Sequence, residues 1–493
     1  MAVRDVILAK VSSPCKTRRL IPGERVDSFI ASEGIQMRRK DRHEESLILP
    51  GVRAGSVKEA WKLAYPTVIG QLSVTVMWTV DTILLGHVGK VELAAAGFGG
   101  VLIWTLYTFF VGTIGSVNTF VAQSKGSGNS DRCPHFAWQG LWLALISGLI
   151  LGLITWKFQW ILAAARPAPD VIEECLRYSR ARLFGAFFLM GTFTFHNFFR
   201  GVGDMKTPMR IAIASNLINI LLDLVLIYGW GPFPRLTTLG AGMATAIADV
   251  SAFFMGAAVF LGPTLHRKYS TRINRAFRPA LVGRMLKVGL PMGVQAFLDM
   301  GSFAVFMTIM GRLGTTQLAA SQIALQLLSF TFMPADGVAK AATTLVGQYI
   351  GAGKKHLAEK SGWIVVKMNL AYSLFIAVFF LLAGEWLYRL FTNAEDVIRA
   401  GMAIIPLIAL FQLVDAVQMS YSGSLRGAGD TRFTMYVYAG SSWLVFVPLA
   451  LLFAYPLGMG MAGGWLGGVI HFTLVNIVLT WRFTRGAWKS IEI

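Results

Sequence analysis

From Trp61 onward the chain alternates long apolar stretches with short polar or basic connections. A helix needs about 20 apolar residues to cross a hydrocarbon core, at about 1.5 Å of rise per residue. Twelve stretches are long enough: 64–86, 93–122, 136–156, 182–200, 208–230, 239–262, 286–310, 318–347, 362–384, 400–424, 433–455 and 459–481. The pattern predicts an all-α polytopic membrane protein with twelve transmembrane helices. Residues 1–55 are polar and mixed in charge, with basic runs such as Lys16-Thr17-Arg18-Arg19 and Arg38-Arg39-Lys40. They hold no apolar run long enough for a signal-peptide core, and they read as a disordered cytoplasmic tail.

An offset of about 225 residues exposes an internal repeat. Lys62-Leu63-Ala64-Tyr65-Pro66 aligns with Lys287-Val288-Gly289-Leu290-Pro291, and Gly86-His87-Val88-Gly89 with Gly311-Arg312-Leu313-Gly314. Val121-Ala122-Gln123 meets Val346-Gly347-Gln348, and Arg200-Gly201-Val202-Gly203-Asp204 meets Arg426-Gly427-Ala428-Gly429-Asp430. Six helices are therefore followed by six more. Because six is even, both halves start on the same side and form parallel repeats about an axis along the membrane normal, an arrangement that encloses a midplane cavity. The expected organisation is an N-lobe over 56–270, a C-lobe over 271–485 and a short cytoplasmic tail over 486–493.

Composition agrees with the pattern. The chain has 493 residues, 55% hydrophobic and 14% charged, against about 25% charged residues in soluble domains. The formal charge of +19 raises the question of nucleic acid. Its Lys and Arg sit in tails and connections between apolar segments, as membrane orientation requires, so no basic domain exists to hold one. The even-numbered connections carry most of them, above all Arg267, Lys268, Arg272, Arg275, Arg278 and Arg284. Both termini are expected in the cytoplasm. The third connection is the exception, since Arg166, Arg177, Arg180 and Arg182 fall on the external side unless an interfacial helix begins near Pro169. Cys15, Cys133 and Cys175 show no metal-ligand or disulfide spacing and read as free thiols.

The candidate chemistry is a census of polar residues inside the spans. Asn219 and Asp223 stand at i and i+4 in the fifth stretch, with Asn216 one turn earlier, so a helix puts them on one face. An Asp there costs roughly 2.5 to 3.5 kcal/mol on insertion scales and marks an ion or substrate pathway; the plain alternative is a packing hydrogen bond. Asp81 in the first stretch and Thr245 in the sixth complete a first group, and Asp249 is a further candidate member. A second group comprises Asp299 in the seventh stretch and Asp415, with Gln412 and Gln418, in the tenth. The groups are not repeat equivalents, because the offset carries Asp81 onto Phe306. Asp336 and Lys340, at i and i+4, read as a structural ion pair.

Other motifs have mechanical readings. The Gly-x-x-Gly and Arg-Gly-x-Gly-Asp segments read as turns, with the arginine supplying inside charge. Pro66 and Pro291 read as first-turn prolines in preference to hinge points. Gly458, Gly460 and Gly463 spell a dinucleotide-like pattern at the start of an apolar span, without the strand–turn–helix context that would give it meaning.

Asp81 within Val80-Asp81-Thr82, the Asn219/Asp223 pair, Phe332-Met333-Pro334, and Asp415-Ala416-Val417-Gln418 leading to Gly423-Ser424-Leu425-Arg426-Gly427-Ala428-Gly429-Asp430 together carry a family likeness. The chain resembles the multidrug and toxic compound extrusion (MATE) family over residues 58 to 485. That resemblance implies a non-enzymatic secondary antiporter that exports organic cations and other drug-like compounds in exchange for Na⁺ or H⁺. It implies that Asp81, Asn219, Asp223 and Thr245 form an N-lobe cation-coupling site, with Na⁺ as a possible occupant. It further implies that Asp299 and Asp415 are C-lobe residues for cation coupling or substrate; one bacterial branch often has Glu where Asp299 stands.

The residues themselves leave the ion open: a hard cation takes several oxygen ligands, a proton needs one desolvated carboxylate. No cofactor is expected beyond the coupling ion. The expected partners are amphipathic or cationic small molecules and the lipid bilayer, with no nucleic acid, and the chain is expected as a monomer in the cell (inner) membrane. The alternative is a flippase for a lipid-linked precursor. Related fourteen-helix families share such a repeat, but twelve spans and the Asp81/Asp223 set argue against it.

Overall fold

Each apolar stretch is a helix, and most run past the limits that hydropathy alone suggests, because polar residues at the membrane surface continue the backbone hydrogen bonding. The computed structural model describes residues 45–165, 169–273 and 275–493. Most of the basic tail, with Cys15, and also Arg166, lie outside the described residues. Residues 46–55, taken from sequence as the end of that tail, are packed: Val52 and Ala54 are buried, and Ser46 donates its amide to the Val52 carbonyl at 2.8 Å.

Among the described residues twelve helical rods follow. They are α1 (Val57–Val88), α2 (Lys90–Gly126, angled at Gly115), α3 (Cys133–Ala165), α4 in two pieces (Pro169–Phe184 and Ala186–Gly201), α5 (Lys206–Tyr228) and α6 (Thr237–Phe260). After the short helix Pro263–Tyr269 come α7 (Pro279–Leu313), α8 (Thr315–Gly351), α9 (Lys355–Arg389), α10 (Glu395–Ala428), α11 (Thr431–Ala454) and α12 (Gly460–Arg485). Among the described residues, eleven of these are long and apolar enough to span a membrane. The one left out is α4, whose first piece is polar. Its arginines are therefore not a loop: Arg177 pairs with Glu173 and Glu174 one turn back, at 2.7 and 3.1 Å, and Arg182 turns inward.

Two proline readings change. Pro66 and Pro291 lie well inside α1 and α7, so each removes one main-chain hydrogen bond from a continuous helix and cannot be a first-turn residue. The first turn of α1 is held instead by a capping box. Ser56 Oγ accepts the Glu59 amide at 3.2 Å, while Glu59 Oε2 accepts the Gly55 amide at 2.7 Å. Glu59 is fully buried, and its second oxygen accepts the Tyr349 hydroxyl of α8 at 2.5 Å, which ties the start of α1 to the other half of the chain.

The two repeats meet through α1 with α8 and α2 with α7. The contacts gather near the Gly126 and Gly351 ends of α2 and α8. There Thr119 and Gln123 donate to the carbonyls of Arg426 and Gly427 at 2.9 and 3.0 Å. Their repeat counterparts Thr344 and Gln348 donate to the carbonyls of Arg200 and Gly201 at 3.2 and 2.7 Å. Gly126 lies against the Gln348 carbonyl and Gly351 against the Gln123 carbonyl, so a methyl group at either would collide with backbone. Apolar packing reinforces the seal: Ala60, Leu63 and Ala64 of α1 share a buried cluster with Val338, Leu345 and Tyr349, while Val282, Met285 and Met292 of α7 share one with Val117 and Phe120. Further along, Gln71 of α1 still reaches Asp336 of α8. Beyond that level Val76, Trp78, Phe297 and Phe332 are exposed.

Candidate ion-coupling site

Helix α5 supplies the centre of the first group. Asn219 and Asp223 project from one face and both are fully buried, because α1 and α6 pack against that face. The Asp81 side chain of α1 comes within hydrogen-bonding reach of Asp223. Thr245 of α6 closes the group: its hydroxyl accepts from Asn219 Nδ2 at 3.4 Å and donates to the Ala241 carbonyl at 2.9 Å. The structure thus brings together all four residues singled out in sequence. Asn216 is held apart by a bond to Ser73 Oγ at 2.8 Å.

The decisive observation concerns oxygen atoms without partners. Asp81 Oδ1, Asn219 Oδ1 and both carboxylate oxygens of Asp223 are buried with no hydrogen-bond donor. Buried polar atoms are nearly always satisfied, and leaving one bare costs about 1–3 kcal/mol or more when it is charged. Two carboxylates held side by side among bare oxygens make an all-oxygen donor set, suited to a hard cation or to a shared proton.

Asp249 is one turn further along α6 from Thr245, and here sequence reasoning missed its partner. Arg182 Nη1 of α4 lies 3.8 Å from Asp249 Oδ2, and both side chains are largely buried. Tyr107 of α2 donates its hydroxyl to the Arg182 carbonyl at 2.9 Å, fixing that turn of α4. Arg182 went unrecognised because the hydrophobic pattern placed it in a connection. Among the described residues, the arginine is the one permanent positive charge close to the Asp81/Asp223 group.

The second group is arranged differently. Asp299 Oδ1 of α7 accepts from Ser442 Oγ of α11 at 3.1 Å. Asp415 Oδ1 of α10 accepts from Gln418 Nε2 at 2.7 Å, and Gln412 accepts from Thr331 at 2.8 Å. No hydrogen bond joins the two carboxylates, which have separate polar partners. Ser442 opens a π-helical turn, Ser442–Phe446, in α11. Pro448 lacks the amide hydrogen that would bond Leu444, and the ladder widens there, aiming Ser442 and Trp443 at α7. Trp443 Nε1 accordingly reaches the Leu298 carbonyl at 3.3 Å. At the repeat position of Asp81 stands Phe306, buried against Phe446 and Trp465. The C-terminal half has an aromatic core where the N-terminal half has its acidic group.

Two sets of charged residues lie where the repeats meet. Asp336 and Lys340 pair along α8 as expected, and Gln71 Nε2 adds a 2.7 Å bond to Asp336 from α1. Arg200 and Arg426, read as surface charge on turns, instead occupy the last turns of α4 and α10, with Arg200 buried between the halves. Tyr107, Phe195 and Tyr421 are buried packing elements, whereas Phe332 is exposed.

This architecture matches known proteins over nearly the whole chain. The MatE family model matches residues 66–225 and 291–452, one segment in each repeat. The chain is similar to the "Probable multidrug resistance protein NorM" of Pseudomonas putida, 30% identical over 88% of this chain and 96% of that one. The protein of the same name from Burkholderia mallei is also 30% identical, over 86% of this chain and 92% of that one. Among solved structures, an outward-facing MATE family transporter of the MOP superfamily superposes with a TM-score of 0.81 at 20% identity, covering 88% of this chain and 97% of that chain. A repeat-built bundle of twelve helices, a match in both repeats and relatives aligned nearly end to end lead to one assignment: the chain belongs to the MatE family and is a multi-pass membrane transporter of the MATE type.

Proposed function

We propose that this protein is an antiporter that exports organic cations and other drug-like compounds in exchange for Na⁺ or H⁺. The observation that carries this reading is the set of bare, buried oxygens on Asp81, Asn219 and Asp223, which requires a positive charge to be stable inside a bundle. Asp81 and Asp223 bind the coupling ion, Asn219 adds a carbonyl oxygen, and Thr245 orients Asn219 and supplies a hydroxyl lone pair. The names of the relatives, multidrug resistance proteins, support the substrate class.

The working cycle is alternating access about the seal formed by Gln123, Gln348 and their carbonyl partners. With that end closed the cleft is open at the opposite end. If both termini are cytoplasmic, as the distribution of Lys and Arg favours, the closed end faces the cytoplasm and the cleft faces outward. Ion entry at Asp81 and Asp223 neutralises the pair, draws α1 towards α5 and releases substrate from the cleft. The membrane supplies the driving energy, about 2.3 kcal/mol per charge per 100 mV.

The test is efflux of a fluorescent organic cation from proteoliposomes under an imposed Na⁺ gradient or an imposed pH gradient, each with the other collapsed. One of the two gradients drives accumulation on the opposite side. Absence of transport under both, with the protein folded and correctly inserted, would refute the antiport reading.

A further inference from the structure

Helix α11 meets two of its neighbours at one place. Ser442 Oγ donates to Asp299 Oδ1 of α7 at 3.1 Å, and Trp443 Nε1 donates to the Leu298 carbonyl at 3.3 Å. One residue earlier, Ser441 Oγ shares a 2.7 Å hydrogen bond with Nδ1 of His471 on α12. Three consecutive side chains thus serve two different helices, at the point where the π-helical turn Ser442–Phe446 begins. His471 also touches the far end of that turn. Its ring stacks on Phe446, with centroids 5.5 Å apart and 20° between the planes. Phe446 in turn packs on Phe303 and Phe306 of α7, at 5.8 and 5.4 Å.

The imidazole is 2% exposed and lies in an aromatic layer with Phe446 and Phe472. Taking such a polar ring out of water is unfavourable unless its nitrogens are bonded, so packing alone would be served better by phenylalanine. What calls for a histidine is the bond to Ser441. The bond also fixes geometry. A π turn holds one residue more than the α-helical turn it replaces, and relaxation to the α form would rotate the residues on its two sides by about 100° relative to each other, carrying Ser442 off Asp299. Pro448 opens the ladder by lacking an amide hydrogen. His471 sets where the opening falls, because it holds both the residue before the turn and the last residue within it. The first half is built differently: α1 and α5, the counterparts of α7 and α11, are joined by Asn216 and Ser73 at 2.8 Å, and α5 runs as an unbroken α-helix from Lys206 to Tyr228.

We propose that His471 is a positioning residue for the second acidic group: bonded to Ser441 and stacked on Phe446, it fixes the π turn of α11 so that Ser442 stays on the Asp299 carboxylate. It acts through α11 and touches neither ion nor substrate. The orientation of Asp299 follows from the geometry alone. Its consequence for transport rests on the antiport reading, in which Asp299 meets the coupling ion or the substrate.

The experiment uses the full chain in detergent, with Asp299→Cys and Ser442→Cys introduced together, so that the rate of disulfide formation under mild oxidation reports where the turn points. Peptide mass spectrometry separates the 299–442 link from any that involves Cys15, Cys133 or Cys175. His471→Phe and Ser441→Ala each remove the bond and keep the aromatic layer; each should slow the link about fivefold, and the two combined no further, because they delete one shared interaction. His471→Asn, whose amide takes the place of Nδ1, should link faster than His471→Phe. Unfolding midpoints recorded for every form keep loss of fold apart from loss of aim, and Ser441→Ala, the smaller change, serves if His471→Phe does not fold. An unchanged rate in both single variants overturns the proposal. So do losses that add in the double variant, which would mark two separate packing defects. Efflux is measured in parallel for His471→Phe, Ser441→Ala and Asp299→Asn without the added cysteines. Full efflux in all three, with the linking rates as expected, refutes the transport role of Asp299 and leaves the positioning role standing.

Discussion

Gln123 and Gln348 occupy equivalent places in the two repeats, and each reaches across to the other repeat to donate to a glycine carbonyl, Gly427 at 3.0 Å and Gly201 at 2.7 Å. The pseudo-twofold relation makes the pair a symmetric two-point contact between the repeats, which serves as the latch of the proposed cycle. A latch of neutral side-chain to main-chain bonds suits a device that must open, since each contributes only about 1 kcal/mol net. Gln123→Ala or Gln348→Ala should shift the closed-to-open balance about fivefold, and the double substitution further. Labelling of a cysteine placed at Ser124 with a membrane-impermeant maleimide checks this; equal rates in all forms would exclude a latching role.

Neutralising either partner of the first acidic group should abolish ion-driven efflux. Asp223→Asn and Asp81→Asn are expected to leave a folded, inserted protein, because each amide can supply a donor to the bare oxygens around it. The double substitution should be little worse than either single one, as groups that act as a unit are non-additive. Vesicle efflux of all three variants, with folding followed by size-exclusion profile, checks the expectation. Full transport by either single variant contradicts it.

Asp299 and Asp415 have separate partners, so their roles can be separated by substrate charge. If they bind the coupling ion, Asp299→Asn and Asp415→Asn weaken transport of every compound and shift its ion dependence. If they pair with substrate, the loss is large for a cation and small for an uncharged compound. The two polar networks around them favour the second outcome, since Ser442 and Gln418 already satisfy one oxygen of each. Parallel efflux assays over a Na⁺ series and a pH series decide between them, and unchanged efflux in both variants leaves only packing.

Arg182 and Asp249 form the one charged contact between α4 and α6 within the described bundle. Removing one partner strands the other charge, at a cost of about 3–5 kcal/mol where burial is complete and less here, where both side chains keep some exposure. Arg182→Met should therefore lower the unfolding midpoint more than Arg182→Met combined with Asp249→Leu. A double variant less stable than the single one would show that the pair is not coupled.

Hydrophobic spacing determined the number of helices and the membrane environment, because a bilayer demands long apolar segments whatever their neighbours, and motifs recurring at an offset of about 225 residues determined the internal repeat. The i, i+4 spacing also placed Asn219 and Asp223 on one face, since helical periodicity is local. What it could not supply was the pairing of residues across helices. Arg182 was lost to a connection because α4 begins with a polar piece, and only packing against α6 shows that its charge meets Asp249. Pro66 and Pro291 were placed at helix starts because helix ends outside the apolar stretch leave no hydrophobic signal. Arg200 and Arg426 looked like turn residues until the opposite repeat closed over them. A charge is read from sequence as solvated or buried by its neighbours along the chain, but its partners, or lack of them, are fixed by residues more than a hundred positions away, and those the tertiary structure decides.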